Sequence, residues 1–287
     1  MEEVQLQALI TLGVALVLTS TVAAGLFVSA GGRQGAMARH QRGDFVVEVL
    51  AIWLLLVPVY VGLGGVLQEI QLELGITVSQ LGLLLLPSVM FTRLWRLSPR
   101  EVLGLRAVPT RQVVGAVCLG LGMWAPIGLY LTGQELIFPM PEALTAMFED
   151  QILPDTAGEL ILAVAVFALV PALAEETLFR GLLLPLSVPR LGKWGAILMT
   201  ATLFGVTHLS PQRIVPTALL GILLGWVRLE TGSLLPAVLL HLTHNTVLLA
   251  AGSQLEELDA AAGAPWVGGA LCSLALGYHL LSRPATK

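Results

Sequence analysis

The sequence predicts an all-α fold, a polytopic transmembrane helical bundle of about eight to nine spans. Of the 287 residues, 56% are hydrophobic and only 12% are charged, whereas soluble domains carry about 25% charged residues. The mean hydropathy is +0.85. Apolar runs recur along the chain, and the longer ones reach the ~20 residues that a helix needs to cross a bilayer. We therefore expect an integral membrane protein.

Nine apolar segments are candidates for membrane spans. The first is too long for a cleaved secretory signal, and it follows Glu2 and Glu3 instead of a basic region. Because the third and seventh segments are short, the expected count is eight to nine. The segments are 6–29, 45–67, 80–97, 113–132, 159–187, 194–209, 214–229, 234–252 and 266–282.

The loops between these segments alternate in charge. By the positive-inside rule, the basic loops lie in the cytoplasm, which places the N-terminus outside and the C-terminus inside. Arg213 is the one basic residue predicted on the outer side. The basic loops carry Arg33, Arg39, Arg42, Arg93, Arg96, Arg100, Arg106, Arg111, Arg190, Lys193, Arg228, Arg283 and Lys287. The acidic loops carry Glu69, Glu73, Glu135, Glu142, Glu149, Asp150, Asp155, Glu159, Glu256, Glu257 and Asp259.

Three charged side chains interrupt the apolar sequence between residues 161–173 and 181–186: Glu175, Glu176 and Arg180. In hydrocarbon each costs roughly 2.5–3.5 kcal/mol, so such residues are functional candidates. On a helix Glu176 and Arg180 are one turn apart and can form an ion pair. A buried structural pair near a helix end explains these two residues equally well. Glu175 lies off that pair, so its carboxylate is available for chemistry.

Two further polar clusters lie in later apolar segments. Phe204 and His208 are four residues apart, as are His241 and Asn245, and His244 accompanies the second pair. His241 and Asn245 project from one helix face. A lone histidine is more often a hydrogen-bonded core residue, and asparagine can simply join helices. Three polar clusters in one bundle nevertheless each need partners out of water, which favours a shared functional site.

The depths of these residues do not match when the helices are taken as straight. At 1.5 Å per residue, Asn245 and His208 lie ~22 Å from the inner charged boundary, and Glu175 lies ~24 Å from the outer one. Glu175 would then be closer to the cytoplasm than the histidines. A fifth helix that continues past Arg180 to Ser187, with a kink at Pro171, would reduce the mismatch.

The three motifs occur in a fixed order on separate helices: Glu175-Glu176-x-x-x-Arg180, Phe204-x-x-x-His208 and His241-x-x-x-Asn245. In this order they resemble those of the CPBP intramembrane proteases. That family, also called Abi, contains type II CAAX prenyl endopeptidases and bacteriocin-processing or immunity proteins. The likeness implies a catalytic core at 155–252. Residues 1–135 are then scaffold helices and 253–287 a C-terminal transmembrane helix of one integrated membrane domain.

The resemblance implies an intramembrane endopeptidase acting on a membrane-associated protein or peptide, of CAAX type or of leader or bacteriocin type. Hydrolysis needs a base that activates water, a proton donor and groups that stabilise the oxyanion. Glu175, partly removed from water, suits the base. His208 can orient the water or carry its proton. His241 and Asn245 can donate hydrogen bonds to the oxyanion.

The remaining motif residues have supporting roles in this reading. By family analogy, Glu176 and Arg180 hold the catalytic groups in place. Phe204 supports the same site, and His244 is an additional histidine that the family pattern does not require. The basic loops lead us to expect a site that opens toward the cytoplasm.

The same residues also permit a metal centre. Glu175, His208 and His241 form a His₂Glu set, which is a known combination for catalytic zinc. The sequence contains no HExxH helix, and the three donors would have to converge from three helices. The expected cofactor is therefore either none or a divalent metal such as zinc. Cys118 and Cys272 have neither metal-site nor disulfide spacing.

Two other classes of function are compatible with the composition. A proton- or ion-coupled transporter would use buried Glu and His residues to relay protons or ions. A non-catalytic membrane partner would use them only to join helices. The expected partners are a membrane-associated polypeptide substrate and the lipid bilayer, with no nucleic acid. Two lysines against thirteen arginines indicate a GC-rich genome and hence a bacterial inner membrane.

Overall fold

A computed structural model describes residues 45–95, 97–139, 156–256 and 260–282, together with the single positions 31, 34, 152 and 154. All regular structure in this part of the chain is helical, and it contains no strand. The all-α prediction is therefore confirmed. The predicted first span, 6–29, lies outside the described residues.

The described helices follow one another along the chain, and 21 residues separate Glu135 at the end of the fifth from Ala157 at the start of the sixth. The numbering used below is α1 Val46–Ile70, α2 Leu72–Leu94, α3 Pro99–Val102, α4 Thr110–Gly122, α5 Trp124–Glu135, α6 157–191, α7 193–207, α8 Pro211–Thr231, α9 Leu234–Glu256 and α10 Ala260–Ser282. Helices α6 and α7 are two limbs of one helical stretch, which bends at Gly192. That residue has φ 68°, a conformation that glycine adopts without strain. The bend falls between the predicted fifth and sixth segments.

Five helical stretches among the described residues are long and apolar enough to cross a membrane, which supports an integral membrane protein. The predicted number of eight to nine spans is not confirmed by this set and stays a prediction. The stretch Leu234–Ala250 is apolar but shorter. The five stretches are Val46–Ile70, Leu72–Leu94, Thr110–Glu135, Ala157–Thr207 and Pro211–Thr231.

One end of the bundle collects the basic residues, and we call it the basic end. It comprises Phe45, residues 93–111, residues 190–193 and residues 228–234. The rings of Phe45 and Trp95 are 5.8 Å apart, so α1 starts where α2 stops. The guanidinium of Arg228 donates to the carbonyl of Val102 over 3.1 Å.

Two more contacts join the basic end. The hydroxyl of Ser233 donates to the carbonyl of Arg106 over 2.7 Å. Lys193, at the bend between α6 and α7, forms an ion pair with Glu230 over 3.1 Å. The end of α8 and the start of α9 therefore lie beside the loop that follows α2.

The opposite end of the bundle, which we call the acidic end, comprises the α1–α2 turn at 69–73, residues 134–139, the start of α6 and the α7–α8 turn at 208–213. The side chain of Gln134 donates to the carbonyl of Gln212 over 3.1 Å. The side chain of Gln212 donates to the carbonyl of Pro139 over 3.5 Å. These contacts place the end of α5 against the α7–α8 turn.

Helix α6 is longer than the membrane is thick. A capping box starts it, because Thr156 and Glu159 each accept a hydrogen bond from the other's backbone N–H. Residues 157–191 extend about 52 Å at 1.5 Å per residue, well beyond a ~30 Å hydrocarbon core. Two π-helical segments, Val164–Leu169 and Thr177–Leu183, interrupt its regular pattern. The continuation past Arg180 that would reduce the difference in depth between Glu175 and the histidines is therefore present, and it extends beyond Ser187 to the bend at Gly192.

Candidate active site

A buried ion pair lies at the centre of the bundle. Arg180 and Glu176 are both 0% exposed, and Nη1 of Arg180 is 2.8 Å from Oε1 of Glu176. The predicted pair one helical turn apart therefore forms. Nη2 of Arg180 donates to the carbonyl of Gly221 over 3.1 Å, and the guanidinium lies 4.3 Å from the centre of the Phe204 ring. Carboxylate, carbonyl and aromatic face together replace part of the water that this cation gives up, while Nε of Arg180 has no hydrogen-bond partner among the described residues.

The same carboxylate orients His241. Nδ1 of His241 is 2.9 Å from Oε1 of Glu176. Because an ionised carboxylate can only accept, Nδ1 carries the hydrogen of this bond. In the neutral ring, Nε2 then presents a lone pair. That nitrogen is 4.0 Å from Oε2 of Glu175, so Glu176 indirectly aims the imidazole at Glu175.

Glu175 is held by two helices that the sequence assigned to the scaffold. Its Oε1 accepts a hydrogen bond of 2.8 Å from Nε2 of Gln80, on α2. The same Nε2 donates to the hydroxyl oxygen of Tyr60, on α1, over 3.0 Å. Glu175 is only 8% exposed and Gln80 only 2%. One weak signal marks Gln80 in the sequence, since it is an amide at the start of an apolar run, and no signal marks Tyr60.

His208 approaches Glu175 from the end of α7. Nδ1 of His208 is 3.0 Å from the carbonyl oxygen of Phe204. A carbonyl oxygen only accepts, so Nδ1 carries the hydrogen here too and Nε2 is the acceptor of the neutral ring. The Phe204 ring packs edge-on against both imidazoles, with centroid distances of 5.2 Å to His208 and 5.9 Å to His241. Phe204 is therefore a rigid spacer between the two histidines and Arg180.

A cleft of about 250 Å³ lies in front of Glu175. Glu175 and His208 therefore face a common space that polar groups line. Its polar lining consists of Tyr60, Gln68, Glu175, Thr207, His208 and Arg213. Arg213 is the one basic residue that the charge pattern places on the outer side of the membrane. It also interacts electrostatically with Glu175 and Tyr60.

Asn245 and His244 lie away from this cleft. The side-chain amide of Asn245 donates to the carbonyl of Phe167, on α6, over 3.5 Å, and Asn245 is not among the described residues that line the cleft. Its role at the oxyanion stays a prediction. His244 is 3% exposed, and its Nδ1 has no hydrogen-bond partner within the described part of the chain.

The predicted metal-ligand set does not assemble in this arrangement. Among the described residues, no three His, Cys, Asp or Glu side chains come together as a group that could hold a metal ion. Nδ1 of each histidine binds a protein acceptor, which leaves Nε2 able to act as a ligand, so it is the spacing of the three side chains that argues against the set. The geometry therefore gives no support to a metalloprotease-like centre built from Glu175, His208 and His241.

The fold and the site together define a helical membrane protein with a buried centre of carboxylates and imidazoles. Residues 157–247, which contain all three motifs, match the family of type II CAAX prenyl endopeptidases described as Rce1-like. The chain belongs to this group, the CPBP family of intramembrane proteases.

A curated relative extends the similarity beyond the motifs. The chain is 34% identical over 166 residues to an uncharacterized 24.3 kDa protein of Escherichia coli. The aligned region covers 56% of this chain and 72% of the relative. No solved structure matches the chain.

Removing the charge of Arg180 alone is expected to destabilise the fold strongly. Arg180→Met leaves the Glu176 carboxylate buried without a cation, and breaking a buried pair in this way costs about 3–5 kcal/mol. Thermal unfolding of the purified protein in detergent should show a markedly lower melting temperature than the wild type.

The matched control removes both charges. Glu176→Gln combined with Arg180→Met leaves no unpaired ion, so the double variant should regain much of the lost stability. A double variant that is no more stable than Arg180→Met, or a single variant as stable as the wild type, would contradict this description of the pair.

Proposed function

We propose that this protein is an intramembrane endopeptidase that hydrolyses a peptide bond of a membrane-associated polypeptide. Membership of the CPBP family supports the class of reaction. The observation that carries the proposal is the position of Glu175, which faces a polar cleft together with His208 and lies 4.0 Å from His241. In this proposal residues 155–252 form the catalytic core, with helices from 1–135 and 253–287 around it.

Glu175 acts as the general base. Gln80 fixes one of its oxygens, and the other is 4.0 Å from the acceptor nitrogen of His241. A water molecule about 2.8 Å from both atoms fits this gap. As that water attacks the substrate carbonyl, a carbon–oxygen bond forms and the proton of the water moves to Glu175.

His208 transfers the proton to the leaving group. Its Nδ1 is held by the carbonyl of Phe204, so Nε2 can take the proton from Glu175 and become part of an imidazolium. When the tetrahedral intermediate collapses, the carbon–nitrogen bond breaks and the amine takes this proton. Base and histidine then return to their starting states.

Tyr60 donates to the oxyanion in this proposal. The neutral ring of His241 presents a lone pair at Nε2, and Asn245, which donates one N–H to Phe167, is not among the described residues that line the cleft. The hydroxyl oxygen of Tyr60 accepts from Gln80, which leaves its hydrogen to point into the cleft. A donor aimed at the developing charge lowers the barrier.

Glu175→Gln should abolish cleavage while the protein still folds. The amide keeps the shape of the side chain but cannot take a proton, and loss of a general base lowers rates about 10²–10⁴-fold. Membrane peptides from cells that express the wild type and the variant should therefore differ, with uncleaved substrate accumulating only beside the variant.

The control for this comparison is Glu230→Gln. It removes a carboxylate from the partly exposed ion pair with Lys193, far from the cleft, and such pairs contribute little. Identical peptide sets from wild-type and Glu175→Gln cells, with both proteins well folded, would favour a protein whose polar groups only join helices.

Tyr60→Phe should lower kcat with little change in KM. Loss of one oxyanion donor costs about 10²–10³-fold in kcat, and the ring of phenylalanine fills the same space. The measurement uses purified protein and a substrate identified by the peptide comparison. The control Tyr278→Phe removes a hydroxyl from a 60% exposed side chain and should change neither constant. A rise in KM alone would assign Tyr60 to binding instead.

A further inference from the structure

The cleft opens at the acidic end of the bundle. Gln68 lies two residues before the end of α1, and Leu209 and Arg213 lie in the α7–α8 turn; all three line the cleft. Tyr60, which also lines it, is ten residues before Ile70, or about 15 Å deeper at the helical rise. The cleft therefore extends from the rim at the acidic end toward Glu175, roughly half-way through the membrane.

Packed side chains fill the bundle between Glu175 and the basic end. After Glu175, helix α6 continues toward the bend at Gly192 and the basic end. Within the described part of the chain, the next two turns of α6 carry apolar side chains that are packed in the core. These side chains, all 0% exposed, are Leu178, Phe179, Leu182 and Leu183.

The charges identify which end is cytoplasmic. Among the described residues, seven basic side chains lie at the basic end: Arg93, Arg100, Arg106, Arg111, Arg190, Lys193 and Arg228. Arg180 is buried in the ion pair, so among the described residues Arg213 is the single basic residue at the acidic end. Such an asymmetry places the basic end in the cytoplasm.

The exception is explained by the site. Arg213 lines the cleft and interacts electrostatically with Glu175 and Tyr60. The position of Arg213 is therefore explained by its contacts in the cleft. One basic residue at the acidic end does not weaken the assignment of the basic end to the cytoplasm. The described acidic residues Glu69, Glu73, Glu135 and Glu159 lie at the same end as Arg213, as the positive-inside rule requires.

We propose that the cleft opens to the non-cytoplasmic face of the membrane. If the proposed protease function holds, its substrates are polypeptides whose cleaved segment lies on that side, such as exported peptides or external segments of membrane proteins. A prenylated C-terminus in the cytoplasm lies at the closed end. This replaces the expectation from the sequence of an opening toward the cytoplasm, because the basic loops mark the end away from the cleft.

Cysteine labelling tests the orientation without needing catalysis. Both native thiols, Cys118 and Cys272, are free and are first replaced by alanine. Gln68→Cys then reports on the rim of the cleft, and Leu105→Cys, at a 52% exposed position, reports on the basic end. Intact bacterial cells with a permeable outer membrane are treated with a membrane-impermeant maleimide, before and after the inner membrane is opened.

The expected result is that Gln68→Cys reacts to about the same extent before and after the inner membrane is opened, whereas Leu105→Cys reacts only afterwards. Reaction of Gln68→Cys only after opening, or the reverse pattern at the two positions, overturns the proposal. Adding Glu175→Gln to each variant should leave the labelling unchanged, so the test stands even if the protease function fails.

The substrate class has its own test in the peptide comparison. Proteins that accumulate uncleaved beside Glu175→Gln should carry the affected segment on the non-cytoplasmic side. A set made up of cytoplasmic C-termini would overturn the assignment of substrates. A set with no difference from the wild type would instead remove the protease function and leave the labelling result intact.

Discussion

The site depends on one oxygen atom, Oε1 of Glu176, which lies within hydrogen-bond distance of both Arg180 and His241. A carboxylate this deeply buried is tolerated only with a cation beside it. Arg180 supplies that cation and is itself held by Gly221 and by the face of Phe204. Because the Glu176 carboxylate is fixed and ionised, His241 must donate to it from Nδ1. Nε2 of His241 is thereby directed at Glu175.

The family motifs supply only one wall of the active site. Glu175, His208 and His241 come from α6, α7 and α9, whereas the opposite wall consists of Tyr60 and Gln80 from α1 and α2, with Arg213 at the rim. The helices outside the core thus contribute polar side chains to the site as well as packing. They also determine the access route, because the end of α1 forms part of the rim at the acidic end.

Features that depend on local spacing could be predicted from the sequence. The helical class, the pair of Glu176 and Arg180 and the break before α7 follow from composition and from neighbours along one helix. The hydrogen bond from Gln80 to Glu175 joins residues 95 positions apart, and no sequence motif predicts it. Asn245 shares a face with His241 as expected, but its partner Phe167 lies in a π-helical segment whose register the sequence does not show.

The most direct test of this account is the protonation of the two site histidines, read from ¹⁵N chemical shifts of histidine-labelled protein in bilayers. Signals are assigned by comparing the wild type with His208→Gln and His241→Gln. The account predicts that at neutral pH both neutral rings carry hydrogen on Nδ1, with Nε2 as the free acceptor. A neutral His241 with its hydrogen on Nε2 would contradict the central claim that Glu176 sets the orientation of the catalytic centre.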